Sequence, residues 1–325
     1  MKRNLYFEFL RAIAILMVVA IHCYNYQQKD IVTQLTRNVF NCAVPIFFAI
    51  SGFFLGKKEI TTRKSYNDFV RVQIPKVYYP MLIWSIPFFI INLLNGQPFI
   101  ENVTMFFIGG LGVFYFVAVI IQYYFLLPIM IKFVDKTRLG GVLLSFAVSE
   151  LCVAFVTYYN IVMGMHLPTI VYAGLFPLWS VFYITGIYLG RLSDRQYNPI
   201  WSFLLVLVGL VFSQLETKYL YDLYGAGLGI KPSSFLYSEA VVLFLFSGSI
   251  EGLAKKVFSE KNRMMIFLGS ISFGIYLVHY HFKNLVQHIT DSWALRWVLV
   301  VLMTIITILL LRRFLPQKKC KYFGI

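Results

Sequence analysis

Ten apolar runs leave this chain little choice of environment. They cover about 5–26, 38–56, 72–95, 105–131, 140–157, 174–190, 200–215, 236–253, 264–281 and 293–314. A helix needs roughly 17–25 apolar residues to cross the hydrocarbon core of a bilayer. Of the 325 residues, 59% are hydrophobic and 13% charged, with a mean hydropathy of +0.72. A water-soluble domain cannot hide that much apolar surface. Inside lipid, backbone N–H and C=O groups must find partners within the protein, and continuous apolar runs do so as helices. The expected fold is therefore all-α: a polytopic bundle of about ten transmembrane helices in a lipid bilayer, forming one domain over 1–325. No low-complexity linker, soluble second domain or internal repeat interrupts it.

The net charge of +15 does not point to nucleic acid, because its distribution follows topology. Lys2, Arg3, Lys57, Lys58, Arg63, Lys64, Arg71 and Lys76 fall on one set of loops. Lys132, Lys136, Arg138, Arg191, Arg195, Lys255, Lys256, Lys261 and Arg263 continue that set, which ends with Arg312, Arg313, Lys318, Lys319 and Lys321. These are 22 basic residues; the opposite face holds six, Lys29, Arg37, Lys218, Lys231, Lys283 and Arg296. The bias places both termini in the cytoplasm. The first apolar run carries Glu8 and Arg11 and no small-residue cleavage site, so it reads as a permanent helix rather than a signal peptide.

The remaining basic residue, Arg11, lies within that first span, and His22 follows eleven positions later. Eleven residues at about 100° each return to within about 20° of the starting direction, so the two share a face about 16 Å apart along the axis. Glu8 precedes Arg11 by one turn and is suited to pair with it; it is about 20 Å from His22. Such a stripe must face protein or a water-filled cavity, which makes it a functional-site candidate. Arg11, near the cytoplasmic mouth, suits the phosphates of an anionic cosubstrate. His22, deeper, suits a general base. Read singly, each has a plainer role, snorkelling for Arg11 and helix packing for His22.

A second polar face comes from Ser272, Tyr276 and His279, which fall within an arc of about 60° on a helix. Close helix packing and interfacial anchoring are the alternative roles. His279 and His281 are about 200° apart and cannot chelate one metal from a regular helix. Ser51 and Gly52 suit a close helix contact within the second span, and Gly109 to Gly112 read as a flexible or close-packing stretch in the fourth. Glu150 and Glu239 are weak candidates within apolar runs. Cys23, Cys42, Cys152 and Cys320 form no metal-ligand or disulfide spacing, and no metal is expected.

In order along the chain, these residues resemble the acyltransferase-3 family of membrane acyltransferases. The family's first span reads approximately D-x-L-R-x-x-A-x-x-x-V-x-x-x-H, and here Glu8, Leu10, Arg11, Ala14, Val18 and His22 occupy those positions. Val44 to Phe54, Arg71 with Pro75, Tyr115 to Val117 ahead of Tyr123 and Pro128, and Ser272 to His279 extend the resemblance across nearly the whole chain. Glu8 stands where an aspartate is usual and Tyr115 where a tryptophan is common. Some members add an esterase-like C-terminal domain; this chain resembles the compact members without one.

The resemblance implies transfer of an acyl group, usually acetyl from acetyl-CoA or another acyl-CoA, to a sugar hydroxyl of a surface glycan or lipid-linked precursor. It implies Arg11 and Arg71 as the acyl-CoA-binding residues and, as catalytic residues, His22 as general base or acyl acceptor and Glu8 beside Arg11. Ser272, Tyr276 and His279 would steady the oxyanion or the acceptor. The expected location is the bacterial inner (plasma) membrane. Competing readings are a glycan, lipid or small-molecule transporter and a structural partner of a glycan-synthesis complex; the absence of internal repeats weighs against the transporter.

Overall fold

The computed structural model describes residues 4–24, 30–165, 167–226, 229–257 and 262–325. Lys2, Arg3, Lys29 and Lys261 of the charge reading lie outside the described residues. The described residues contain helices and no strand. In chain order the helices are α1 (Leu5–Cys23), α2 (Ile31–Phe40), α3 (Ala43–Leu55), α4 (Arg63–Leu94), α5 (Phe99–Ile108) and α6 (Tyr115–Thr137). They continue with α7 (Leu139–Thr157), α8 (Thr169–Ala173), α9 (Ser180–Arg191), α10 (Ile200–Tyr224) and α11 (Pro232–Phe246). The last are α12 (Gly248–Val257), α13 (Arg263–Ser270), α14 (Ser272–Val286), α15 (Trp293–Phe314) and α16 (Gln317–Cys320). Among the described residues, seven helical stretches are long and apolar enough to cross a membrane, or nine if each of two broken pairs is one span.

Local sequence sets the helix starts. The Asn4 side chain accepts from the Tyr6 N–H at 3.1 Å, and Asp30 accepts from the Thr33 N–H at 2.8 Å. Thr62 and Ser65 cap α4 reciprocally, at 3.1 and 3.2 Å. Each cap satisfies donors that the first helical turn leaves open. The Asp30 carboxyl is held below its ordinary pKa, chiefly by the Thr33 hydroxyl and then the Thr33 N–H.

Four expected spans take a different form. The helix expected from 72 begins at Arg63, so most of the expected 57–71 loop is helical and Arg71 lies within α4, exposed. The run 105–131 is two helices: α5 ends at Gly109 (φ 77°), Gly112 (φ 59°) follows, and α6 starts at Tyr115. Only glycine adopts such backbone readily, so Gly109 to Gly112 form a turn between helices rather than part of a span. The run 236–253 is bent by 62° between α11 and α12, and the run 264–281 is broken between α13 and α14. Ser247 (ψ 135°) and Ile271 (φ −107°, ψ 9°) leave helical geometry at these points. The outer loop expected over 216–235 is helical up to Tyr224 and again from Pro232.

The chain divides into two compact units. One comprises Met1–Glu59, Ile129–His166 and Pro177–Ser270; the other comprises Ile60–Pro128, Leu167–Phe176 and Ile271–Ile325. In the first, α9 lies in the interior, with Val181 to Ile187 all buried. A helix that is apolar all round belongs inside. It packs on α3 through two glycine pairs, Gly52 with Gly56 and Gly186 with Gly190. A Cβ at Gly186 would sit 2.2 Å from the Ala49 carbonyl oxygen, and one at Gly52 the same distance from that of Tyr183. Small residues four apart let the two backbones touch, the contact that drives helix association where lipid removes the hydrophobic drive. Arg191 donates to the Gly56 carbonyl at 2.9 Å and pairs with Asp135. Ser149 of α7 meets Ser180 of α9 at 3.2 Å.

In the second unit, α14 packs on α4 and α15. Met81, Phe114, Val117 and Leu277 form a buried core there. The Trp84 indole N–H donates to the Phe323 carbonyl at 3.1 Å, and His281 stacks on Phe88 with centroids 4.3 Å apart.

Substituting Gly186→Leu will destabilise the protein by about 1–3 kcal/mol or more, the usual range for overpacking, read as a lowered unfolding midpoint in detergent. An unchanged midpoint would contradict the α3–α9 contact.

Candidate functional site

In the first unit the stripe on α1 is held by protein. Glu8 is buried at 6% exposure, and the Arg11 guanidinium donates to it at 2.9 Å. The pairing matches their i,i+3 spacing. The backbone of Glu8 is approached so closely by α13 that a Cβ on Gly269 would lie 2.0 Å from its carbonyl oxygen. His22 is half-buried in the last turn of α1.

Around the start of α1 the fold gathers cations that sequence order separates. The Arg11 guanidinium lies 5.5 Å from the Phe54 ring centroid. Lys57 Nζ lies 3.9 Å and the Arg195 guanidinium 4.8 Å from the centroid of Phe53. Phe7 stacks on Phe53 at 4.7 Å and meets Phe54 edge-on at 5.0 Å, so the rings form one platform. Cations over ring faces gain from the quadrupole, the more so when partly desolvated. Burial, and then the charge of Arg195, push the Lys57 ammonium below its ordinary pKa. Lys57 has no carboxylate within 4.0 Å among the described residues.

Glu251 on α12 ties this end together. Its carboxylate accepts from Arg195 at 2.6 Å, Lys255 at 2.7 Å and the Asn4 amide at 3.1 Å, and it is itself buried. Arg195 also donates to the Phe246 carbonyl at 2.7 Å. The Lys255–Glu251 spacing is visible on a helix, but Arg195 and Asn4 reach Glu251 only through the fold. In the residue order Arg195 is one more cation of the cytoplasmic loops, and nothing marks Glu251 as its partner.

The second polar face lies in the second unit. Ser272 is 6% and His279 0% exposed. His279 Nδ1 lies 2.7 Å from the Tyr276 carbonyl and 3.1 Å from that of Ile275. Both oxygens can only accept, so the proton is on Nδ1 and Nε2 carries the lone pair. The Tyr276 hydroxyl donates to the Val113 carbonyl at 2.6 Å, within the segment joining α5 to α6. Its proton is thus committed to the backbone, leaving its oxygen lone pairs for a ligand. Arg71 belongs to this unit as well. The structure therefore brings Glu8 and Arg11 together, and Ser272, Tyr276 and His279 onto one helix.

Two acidic groups of the apolar runs also find settings. Glu239 is buried and accepts from the Thr185 hydroxyl at 2.5 Å. Glu150 and Glu216 line an apolar groove of about 500 Å³. No group of three or more His, Cys, Asp or Glu side chains able to hold a metal occurs among the described residues.

Long apolar helices enclosing buried charges define a polytopic helical membrane protein. The family model described as an acyltransferase domain, acyltransferase-3, matches residues 4–313, and the chain belongs to that family. It is 26% identical over 341 residues to a serine/alanine racemase of Enterococcus gallinarum, a match covering 95% of this chain and 45% of that protein. It is 34% identical over 92 residues to an amino-acid racemase of Enterococcus faecalis, covering 27% of this chain and 13% of that one. The chain thus spans less than half the length of these relatives. No solved structure matches.

Substituting Glu251→Ala will destabilise the protein by about 2–4 kcal/mol, because it strands a half-buried arginine. Lys255→Ala, which removes a partner that is 56% exposed, will change stability by at most about 1 kcal/mol. Equal losses in chemical unfolding would contradict the hub role of Glu251.

Proposed function

We propose that this protein is a membrane O-acyltransferase. It moves an acyl group, acetyl in the first instance, from cytoplasmic acyl-CoA to a sugar hydroxyl of a surface glycan or a lipid-linked precursor. The observation that carries the reading is the family match over residues 4–313 together with Arg11 and His22 on one helix packed inside the protein. In this reading the chain is a single domain in the bacterial plasma membrane with ten crossings and both termini cytoplasmic. The tenth crossing is α9 with the helical turn Phe176–Trp179 ahead of it.

Residues at the start of α1 suit the cosubstrate. Arg11, Lys57 and Arg195 offer charge to phosphates, with Phe53 and Phe54 as flat apolar surface beside them. Lys57, without a carboxylate partner among the described residues, is the cation most able to take one. Arg71 on α4 is a phosphate-binding residue on the family resemblance alone. Glu8 holds Arg11 in place and takes no part in proton transfer.

His22 supplies the chemistry. It takes the proton of the sugar hydroxyl as that oxygen bonds to the acyl carbon, and it returns the proton to the departing thiolate sulfur. An alternative route has His22 accept the acyl group and pass it on. Ser272 orients the acceptor or donates to the oxyanion, and His279 orients the acceptor by accepting from its hydroxyl at Nε2. Tyr276 can donate to the oxyanion only by exchanging the Val113 carbonyl for the ligand.

A second reading, export of a glycan or small molecule, is favoured by the two broken helix pairs, since transporters build midplane sites from broken helices. The racemase names are not carried over, because the longer match covers 45% of that protein.

Loss of the His22 imidazole in His22→Ala will lower acyl transfer by about 10²-fold or more with an unchanged unfolding midpoint. Lys57→Ala will raise the KM for acyl-CoA about tenfold with little change in kcat. Mass analysis of cell-envelope glycans will show an acyl increment lost with the gene. Wild-type transfer by purified His22→Ala would refute its role.

A further inference from the structure

The first unit buries two cations that the acyl-transfer reading does not use. Arg37 on α2 is 7% exposed, and Lys231, just ahead of α11, is 0% exposed. Neither has a carboxylate within 4.0 Å among the described residues. Arg37 Nε and one terminal guanidinium nitrogen are buried without a hydrogen-bond partner. Lys231 Nζ donates at 2.8 Å to Asn38 Oδ1, a neutral acceptor.

The groups around them form a polar shell. Thr217 Oγ1 also donates to Asn38 Oδ1, at 3.1 Å. Asn38 Nδ2 donates to Gln214 Oε1 at 2.9 Å, and Gln214 Nε2 donates to Gln34 Oε1 at 3.2 Å. Asn38 and Thr217 are fully buried. Glu216, the neighbour of Thr217 in sequence, accepts instead from the Ser233 N–H at 2.9 Å and from its hydroxyl. Burial pushes the Lys231 ammonium down to about 7, opposed by Glu216 and reinforced by Arg37.

An arginine does not escape burial by losing its proton. A guanidinium with two orphaned nitrogens, whose charge is felt by a second cation partnered among the described residues by an amide oxygen, is an unstable arrangement unless a negative charge completes it. The planar fork of arginine matches the oxygens of a carboxylate or phosphate, and an ammonium adds a point charge to the same anion.

We propose that Arg37 and Lys231 form a binding site for an oxyanion, the carboxylate or phosphate group of a small-molecule or glycan ligand, inside the first unit. Asn38 positions the lysine for it. The site is independent of the acyl-transfer reading, because binding is measured without an acyl donor.

The test uses the purified full-length chain in detergent. Inorganic phosphate and acetate are each added at matched ionic strength against sodium chloride, and the unfolding midpoint is recorded for wild type, Arg37→Met and Lys231→Met. Retention of radiolabelled phosphate and acetate by wild type is measured in parallel, which reports binding even if a variant does not fold. The expected result is a midpoint raised by at least one oxyanion, saturable retention of that anion, and binding weakened about tenfold or more by either substitution. A response to phosphate alone assigns a phosphate ligand, and a response to acetate alone a carboxylate. The absence of any response beyond chloride, or a response unchanged in both folded variants, would overturn the proposal.

Discussion

The backbone contact between α3 and α9 carries much of the first unit. With glycines at 52, 56, 186 and 190, the Ala49 carbonyl and Gly186 meet with no room for a Cβ. Because that contact fixes α3, Phe53 and Phe54 at its end become a platform for Lys57, Arg195 and Arg11. Because it fixes α9, Thr185 reaches Glu239 and Ser180 reaches Ser149. Polar groups in the interior are thus satisfied by helices that touch closely.

Charge within the first unit is managed in two ways. At the start of α1, carboxylates accompany the cations: Glu8 serves Arg11, and Glu251 serves Arg195 and Lys255. Around Asn38, Lys231 meets an amide oxygen instead, which the Thr217 hydroxyl also shares. A charge compensated by protein holds a structure together, whereas one left uncompensated in the interior invites a ligand. Lys57 stands between the two cases: it rests on an aromatic ring and has no carboxylate within 4.0 Å among the described residues.

Part of this was legible in the residue order. α15 has the bounds expected from its apolar run, and α1 differs only at its C-terminal end, because each has local caps and no internal glycine. The Glu8–Arg11 pair follows from helical spacing alone. The breaks at Ser247 and Ile271 were hidden, since hydropathy averages over a break that one residue's ψ produces. Gly109 and Gly112 fall inside an apolar run whose neighbouring residues outweigh them in hydropathy, although two left-handed glycines close together make a turn. Glycines 186 and 190 gain meaning only from partners more than a hundred residues away. Separation along the chain, 56 residues for Arg195–Glu251 and 193 for Lys231–Asn38, likewise hid these contacts, which belong to tertiary structure.

On the proposed function, this helical bundle performs group transfer rather than passage of a solute. Reconstituted into proteoliposomes and offered acetyl-labelled acetyl-CoA with cell-envelope glycan acceptors, the protein is predicted to release CoA in step with label appearing covalently on the glycan. Movement of glycan across the bilayer with no CoA release and no label on the acceptor would contradict it.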